Sequence, residues 1–198
     1  ATQGDTQTGV GRIEVVDVTD GAHPVILKSL DIPGTVLTLG VGVSGNVGVV
    51  IGSTQGFRDN PAGVALGNLT VTTLDVTDPL DPKIVTTRTL DIPSSTFWVN
   101  FTSLGGGRFA YASQGIVGNS VFPIVLVIDA SNPRSPLIGD SSIPIDLISP
   151  NSLSTDGKFL FTADSGGVSI YTVNPLPGLP VTARVQIPNG TGVTPNPG

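Results

Sequence analysis

Along most of the chain, apolar and polar positions alternate in short runs, and each run is cut by Gly, Pro, Asn or Asp. The pattern is that of β-strands, whose side chains point to opposite faces with a period of two. No segment longer than a turn or two shows the i, i+3, i+4 spacing of an amphipathic helix. The one passage that resembles a membrane span is the uncharged stretch from Ile32 to Phe57. It contains VLTLGVGVSGNVGVVIG, in which Ser44-Gly45-Asn46 separates two alternating halves and several glycines weaken any helix. The expectation is a β-hairpin, in an all-β protein.

Laid against itself, the chain repeats. IEVVDVTDGAHPVILKSLDIPG (13–34) matches VTTLDVTDPLDPKIVTTRTLDIPS (71–94), with Asp17 on Asp75 and Pro33 on Pro93. VLVIDASNPRSPLIGDSSIP (125–144) is a third copy, with Asp129 and Pro144 in those places. VSIYTVNPLPGLPVTARVQIP (168–188) is a weaker fourth, with Tyr171 where the others have Asp. After each of the first three Ile-Pro pairs come two further runs, joined by SGN, LGGG or TDG. Glycine-bearing loops of that length suit tight reversals.

Each unit therefore reads as four antiparallel strands, named a to d, which is the signature of a β-propeller blade. Strand c has small or apolar residues on both faces, as expected between neighbouring blades, and PKIVTTRTLDIP suits a solvent-facing strand d. ATQG at 1–4 matches STQG (53–56) and ASQG (112–115), so it reads as the end of a strand b. The expected layout is a half blade over 1–34, blades over about 35–94, 95–144 and 145–188, and a Pro/Gly-rich tail or linker over 189–198. Such an arc of three and a half blades leaves two apolar faces open, and the expectation is a piece of a larger propeller or a chain completed by further copies.

The elements IEVVDVTD, VTTLDVTDP and VLVIDASNP, each followed by a Pro-initiated strand and the Ile-Pro turn, resemble the LVIVD repeat of bacterial and archaeal secreted and surface proteins. The resemblance spans essentially the whole chain. It implies a propeller, a secreted or cell-surface location and a binding, adhesion or scaffolding role, and it supplies no catalytic residues.

Composition narrows the chemistry. Gly (26) and Pro (17) exceed a fifth of the 198 residues, yet the apolar content is too high for a disordered chain. There is no Cys and no Met, so disulfides and thiol chemistry are excluded. A net charge of −6 with nine scattered cations argues against nucleic acid and anionic membranes as partners, and no membrane insertion is expected.

Single residues add little. His23 is the sole histidine and precedes Pro24, in a slot filled by Asp81, Ser135 and Leu179 elsewhere, so it reads as a loop position. Asp17, Asp75 and Asp129 recur once per blade and would be spread around a ring, which suits turn capping and not a convergent acid–base pair. Asp20 and Asp78 share that reading, and Asp156-Gly157-Lys158 reads as a hairpin turn. Phe109 with Tyr111, and Phe159 with Phe161, alternate on strand b and are expected between blades. Three N-x-Ser/Thr sequons, at Asn68, Asn100 and Asn189, match what chance gives in a chain so rich in Ser and Thr. No metal, cofactor or catalytic set is expected.

What remains is a loop face. The b–c loops vary most in length and share a rim with the d–a loops, and variation on a rigid scaffold is where binding specificity sits. Phe57, Arg58, Asp59, Asn60, Asn119 and Phe122 belong to the b–c loops, and Trp98 follows a d–a loop. The expected function is a non-catalytic module presenting these residues to a protein or glycan. The alternative is a structural building block of a surface layer or filament, joined through the ends of the arc.

Overall fold

The computed structural model describes residues 2–5, 9–56, 67–94, 99–117, 120–142, 152–156, 158–164, 167–172 and 181–186. Among the described residues there are fifteen strands and no helix. They form four separate antiparallel meanders. The first sheet has three strands, β1 (Thr2–Asp5), β2 (Val10–Asp17) and β3 (Val25–Ile32). The second has four: β4 (Leu37–Ser44), β5 (Val47–Ser53), β6 (Asn68–Asp75) and β7 (Lys83–Pro93). In the third, β8 (Asn100–Gly105), β9 (Arg108–Val117), β10 (Ser120–Asp129) and β11 (Leu137–Ser142) follow in order. The fourth runs through β12 (Ser152–Thr155), β13 (Phe159–Asp164), β14 (Gly167–Thr172) and β15 (Val181–Gln186).

The repeat unit is thus a four-stranded meander, and β1 pairs with β2 alone, as the last part of a strand b. The uncharged stretch is the β4–β5 hairpin, turning at Gly45 with φ +60°. The β8–β9 turn places Gly105, Gly106 and Gly107 at positive φ, a region that only glycine enters without strain. No described helix is long and apolar enough to cross a membrane.

The sheets stack in chain order. Ile13 and Ile32 of the first meet Val50 and Leu74 of the second. Val49, Ile51, Leu69 and Val71 on the other face of the second sheet meet Phe109, Tyr111, Ile124, Leu126 and Ile128 of the third. Ala110, Ala112, Val125 and Val127, on the far face of the third, meet Leu160 of the fourth. Adjacent residues of β5, β9 and β10 therefore serve two different interfaces, and both faces of each strand are dry. First strands make close approaches to first strands, β4 to β8 and β8 to β12.

Volume complementarity makes the β4–β8 approach possible. The rings of Phe101 and Phe109 stack with centroids 5.8 Å apart, almost parallel, and lie over Gly42 of β4. A Cβ at Gly42 would stand 2.7 Å from Phe101 Cε1 and 3.2 Å from Phe109 Cδ1. Glycine is needed here for space, and the aromatic pair fills what it leaves.

Two expectations are corrected. Phe159 and Phe161 are half-buried, while Leu160 between them is fully buried against the third sheet. Residues 159 and 161 alternate to the face opposite Leu160, so in this copy the aliphatic residue takes the interface. The free face of the first sheet is not uniformly apolar either. Arg12 and Asp31 form a 2.7 Å ion pair there, beside the Glu14–Ser29 pair, and the pair Val16 and Ile26 adds exposed apolar surface.

Gly42→Ala is expected to cost about 1–3 kcal/mol, as methylene-sized overpacking does. Urea unfolding of the variant measures it, and a loss of only a few tenths would mean that the Phe101 ring can move aside.

Candidate functional site

The recurrent Asp-x-Thr/Ser element forms the same structure three times. Asp17 Oδ1 accepts hydrogen bonds from the Thr19 amide (2.8 Å) and hydroxyl (2.5 Å). Asp75 does the same with Thr77 (2.9 and 2.6 Å), and Asp129 with Ser131 (2.9 and 2.6 Å). Three residues on, a second carboxylate or carboxamide closes another turn: Asp20 to the Ala22 amide, Asp78 to Leu80, Asn132 to Arg134. The backbone then closes over it, from His23, Asp81 and Ser135 to the carbonyls of Asp20, Asp78 and Asn132. Short polar side chains compete well for turn amides, which is why Asp, Asn, Ser and Thr recur here. Asp156 caps its hairpin similarly, accepting from the Lys158 and Phe159 amides.

These carboxylates are therefore turn caps, as their spacing suggested. Among the described residues, no group of three or more His, Cys, Asp or Glu is placed to hold a metal. His23 is an exposed loop residue whose Nδ1 lies 2.8 Å from Asp20. The accepted hydrogen bonds hold the Asp17, Asp75 and Asp156 carboxyls below the usual carboxylate range.

The turns also join neighbouring sheets. Lys28 on β3 donates to Asp81 in the next sheet's c–d turn (2.7 Å), and Lys83 bonds the same carboxylate. The hydrogen bond from Lys28, followed by that from Lys83, lowers the Asp81 pKa to about 2. Arg88 on β7 donates to the Pro136 carbonyl (3.0 Å), and Thr73 on β6 to the Pro133 carbonyl (2.6 Å), both in the third sheet's c–d turn. Counted back from Leu-Asp-Ile-Pro, Lys28 and Arg88 occupy one position of the repeat.

Of the residues expected at the loop face, Phe57, Arg58, Asp59, Asn60, Trp98 and Asn119 lie outside the described residues. Phe122 is corrected from loop to strand. β9 and β10 pair without interruption from Arg108↔Asp129 to Val117↔Ser120, and Phe122 stands opposite Gly115. The stretch IVGNSVF, which holds two of the expected loop residues, lies largely within an extended ladder, where the β-branched pair Ile116 and Val121 continues the pairing.

The concavity that the sequence did not announce lies at the opposite rim, where the a–b and c–d turns meet. It is a groove of about 540 Å³ between the first and second sheets. Ile13 and Val15 of β2 form one wall, Val41, Val43 and Leu74 the other, and Val76, Pro79 and Pro82 border it. Val43 is 56% exposed and Val41 38%. The Val76 amide donates to the Asn46 carbonyl (2.9 Å), tying the c–d turn to the a–b turn at this end. A sequence signal for the groove was valine at position 41, a strand a site that carries Phe101 one repeat later.

Acid should weaken the turns in a defined window. A carboxyl with a depressed folded pKa contributes stability above its unfolded value near 4, and that contribution is lost as pH falls toward the folded value. Melting temperature should hold from neutrality to about pH 4 and drop from there toward pH 2, where Asp81 titrates. Asp75→Asn keeps an acceptor oxygen and should flatten part of that drop with little change at pH 7. An unchanged acid limb would show that the carboxylate at 75 contributes nothing. Set beside known proteins, the chain matches no family model and no curated sequence, so the LVIVD resemblance rests on the repeat motif alone.

Proposed function

We propose that the chain is a non-catalytic binding module of the cell exterior or cell surface, built as an arc of a β-propeller. The observation that carries the reading is the arrangement of the sheets. Four meanders stack in order, first strand nearest first strand, and the turns are locked to one another by hydrogen bonds. A rigid scaffold carrying loops of variable length is where specific binding surfaces arise. The b–c and d–a loops, with Phe57, Arg58 and Trp98, are the surface offered to a protein or glycan.

Arg58→Ala and Trp98→Ala should each weaken binding to whichever ligand a glycan array or a panel of purified extracellular proteins identifies. Circular dichroism and melting temperature should be unchanged. Binding that survives both substitutions would place the interaction elsewhere.

One feature favours the structural alternative. Leu74 of β6 and its partner Ile84 pack against the preceding sheet, and Leu74 is 2% exposed. Val16 and Ile26, the same positions in the first sheet, are 41% and 56% exposed. The face that every later sheet covers is bare at this end, ready for a further sheet from the same chain or another copy. Light scattering should then show mass increasing with concentration, and Val16→Asp should abolish the increase. A monomer at every concentration would remove the building-block reading for this chain.

A further inference from the structure

We propose that the groove between the first and second sheets receives an aromatic side chain, phenylalanine or tyrosine, from a partner polypeptide. It lies on the rim of a–b and c–d turns, away from the loop face, so the two binding surfaces stand or fall separately.

The repeat itself identifies the missing occupant. At the interface between the second and third sheets, strands β8 and β9 contribute Phe101, Phe109 and Tyr111 toward the preceding sheet. Strands β4 and β5 hold the corresponding places one interface earlier. Val41 pairs with Val50 where Phe101 pairs with Tyr111, and Gly48 pairs with Val43 where Phe109 pairs with Ser103. Three rings are replaced by two valines and a glycine. Leu74 and Val76 close over Gly48, where a Cβ would stand 3.2–3.3 Å from them, and the groove of about 540 Å³ opens beside Val41, in the place of Phe101. That volume falls within the range of about 300–1,000 Å³ typical of ligand sites.

A second difference keeps the groove open. Thr73 clasps the next sheet's turn through its hydrogen bond to the Pro133 carbonyl. The matching pair at the first interface is Val15 and Pro79, and valine has no donor. The inner turns are thus unclasped there, while Lys28–Asp81 still ties the sheets further out.

The walls fit an uncharged planar group. They are mainly aliphatic side chains and two proline rings, with Glu14, Asn46 and Thr77 also at the lining. The groove continues the buried interface of Ile13, Ile32, Val50 and Leu74 outward to solvent. Where that interface recurs, side chains projecting from a strand fill the same space, which is why the occupant is a residue of a polypeptide.

The test uses the full chain and two probes. Titration with N-acetyl-phenylalaninamide, followed by ¹H–¹⁵N NMR, should shift the amides of Val15, Val41, Val43 and Val76 saturably in the millimolar range, and N-acetyl-leucinamide should bind at least several-fold more weakly. A random peptide library selected on the chain should enrich Phe and Tyr. Val41→Phe supplies the ring from within and should cut both signals at least tenfold while raising the melting temperature. Val43→Lys, at an exposed position that cannot upset folding, should also abolish binding. The proposal is overturned if no saturable shift occurs at these amides, if the leucine probe binds equally well, if the library enriches no aromatic residue, or if Val43→Lys leaves binding intact.

Discussion

Everything in this molecule depends on one sheet lying flat against the next. A single meander buries little, because each of its strands has two faces and solvent would reach both. The middle strands of the second and third sheets become dry only because neighbours cover them on either side, and the fit is volumetric. Phe101 and Phe109 lie over Gly42, and a residue away in sequence, Ala110 and Ala112 leave room for the following sheet. The alternation of ring and methyl along β9 is therefore the record of two different interfaces, written on one strand.

Polar groups hold those faces in register. The capped turns recur with nearly the same hydrogen bonds in three copies, and Lys28 and Arg88 reach to them across the gap between sheets. Their individual strength is modest, since most are solvent-exposed. Their effect is directional: they fix which turn faces which, and the apolar faces can then pack in only one alignment. Buried hydroxyl pairs such as Thr35–Thr70 and Ser53–Ser94, both 2.7 Å, do the same within the second sheet.

Much of this was legible in the sequence because repetition amplifies weak local signals. One DVTD is ambiguous, whereas two of them and a DASN at matching places in successive units define a turn, a strand and a boundary. The β4–β5 hairpin was readable from Ser44-Gly45-Asn46 alone. Legibility failed where neighbours in space decide the outcome. Phe159 and Phe161 look like Phe109 and Tyr111, yet Leu160 took the interface, since alternation says which residues share a face but not which face turns inward. Phe122 looked like a loop residue because Gly118 and Asn119 advertise a turn without saying how far pairing continues on either side. The groove was the least readable feature. Val41 in place of Phe101 is a small difference in the sequence, and it reads as a recess only once both are known to point toward the preceding sheet.

The hydrogen bonds between turns have a kinetic consequence. The Val76 amide holds Asn46, and the Gly107 amide holds Ser44 (3.1 Å), so the two ends of the β4–β5 hairpin turn are fastened to neighbouring elements. These bonds fix the second-sheet wall of the groove, so that wall needs little rearrangement when the groove fills. A guest would meet a preformed recess, pay for its own immobilisation and little else, and arrive at a rate set by encounter. Residence time would then be the variable open to tuning, through the few side chains of β4 and β5 that line the recess, with the scaffold left untouched.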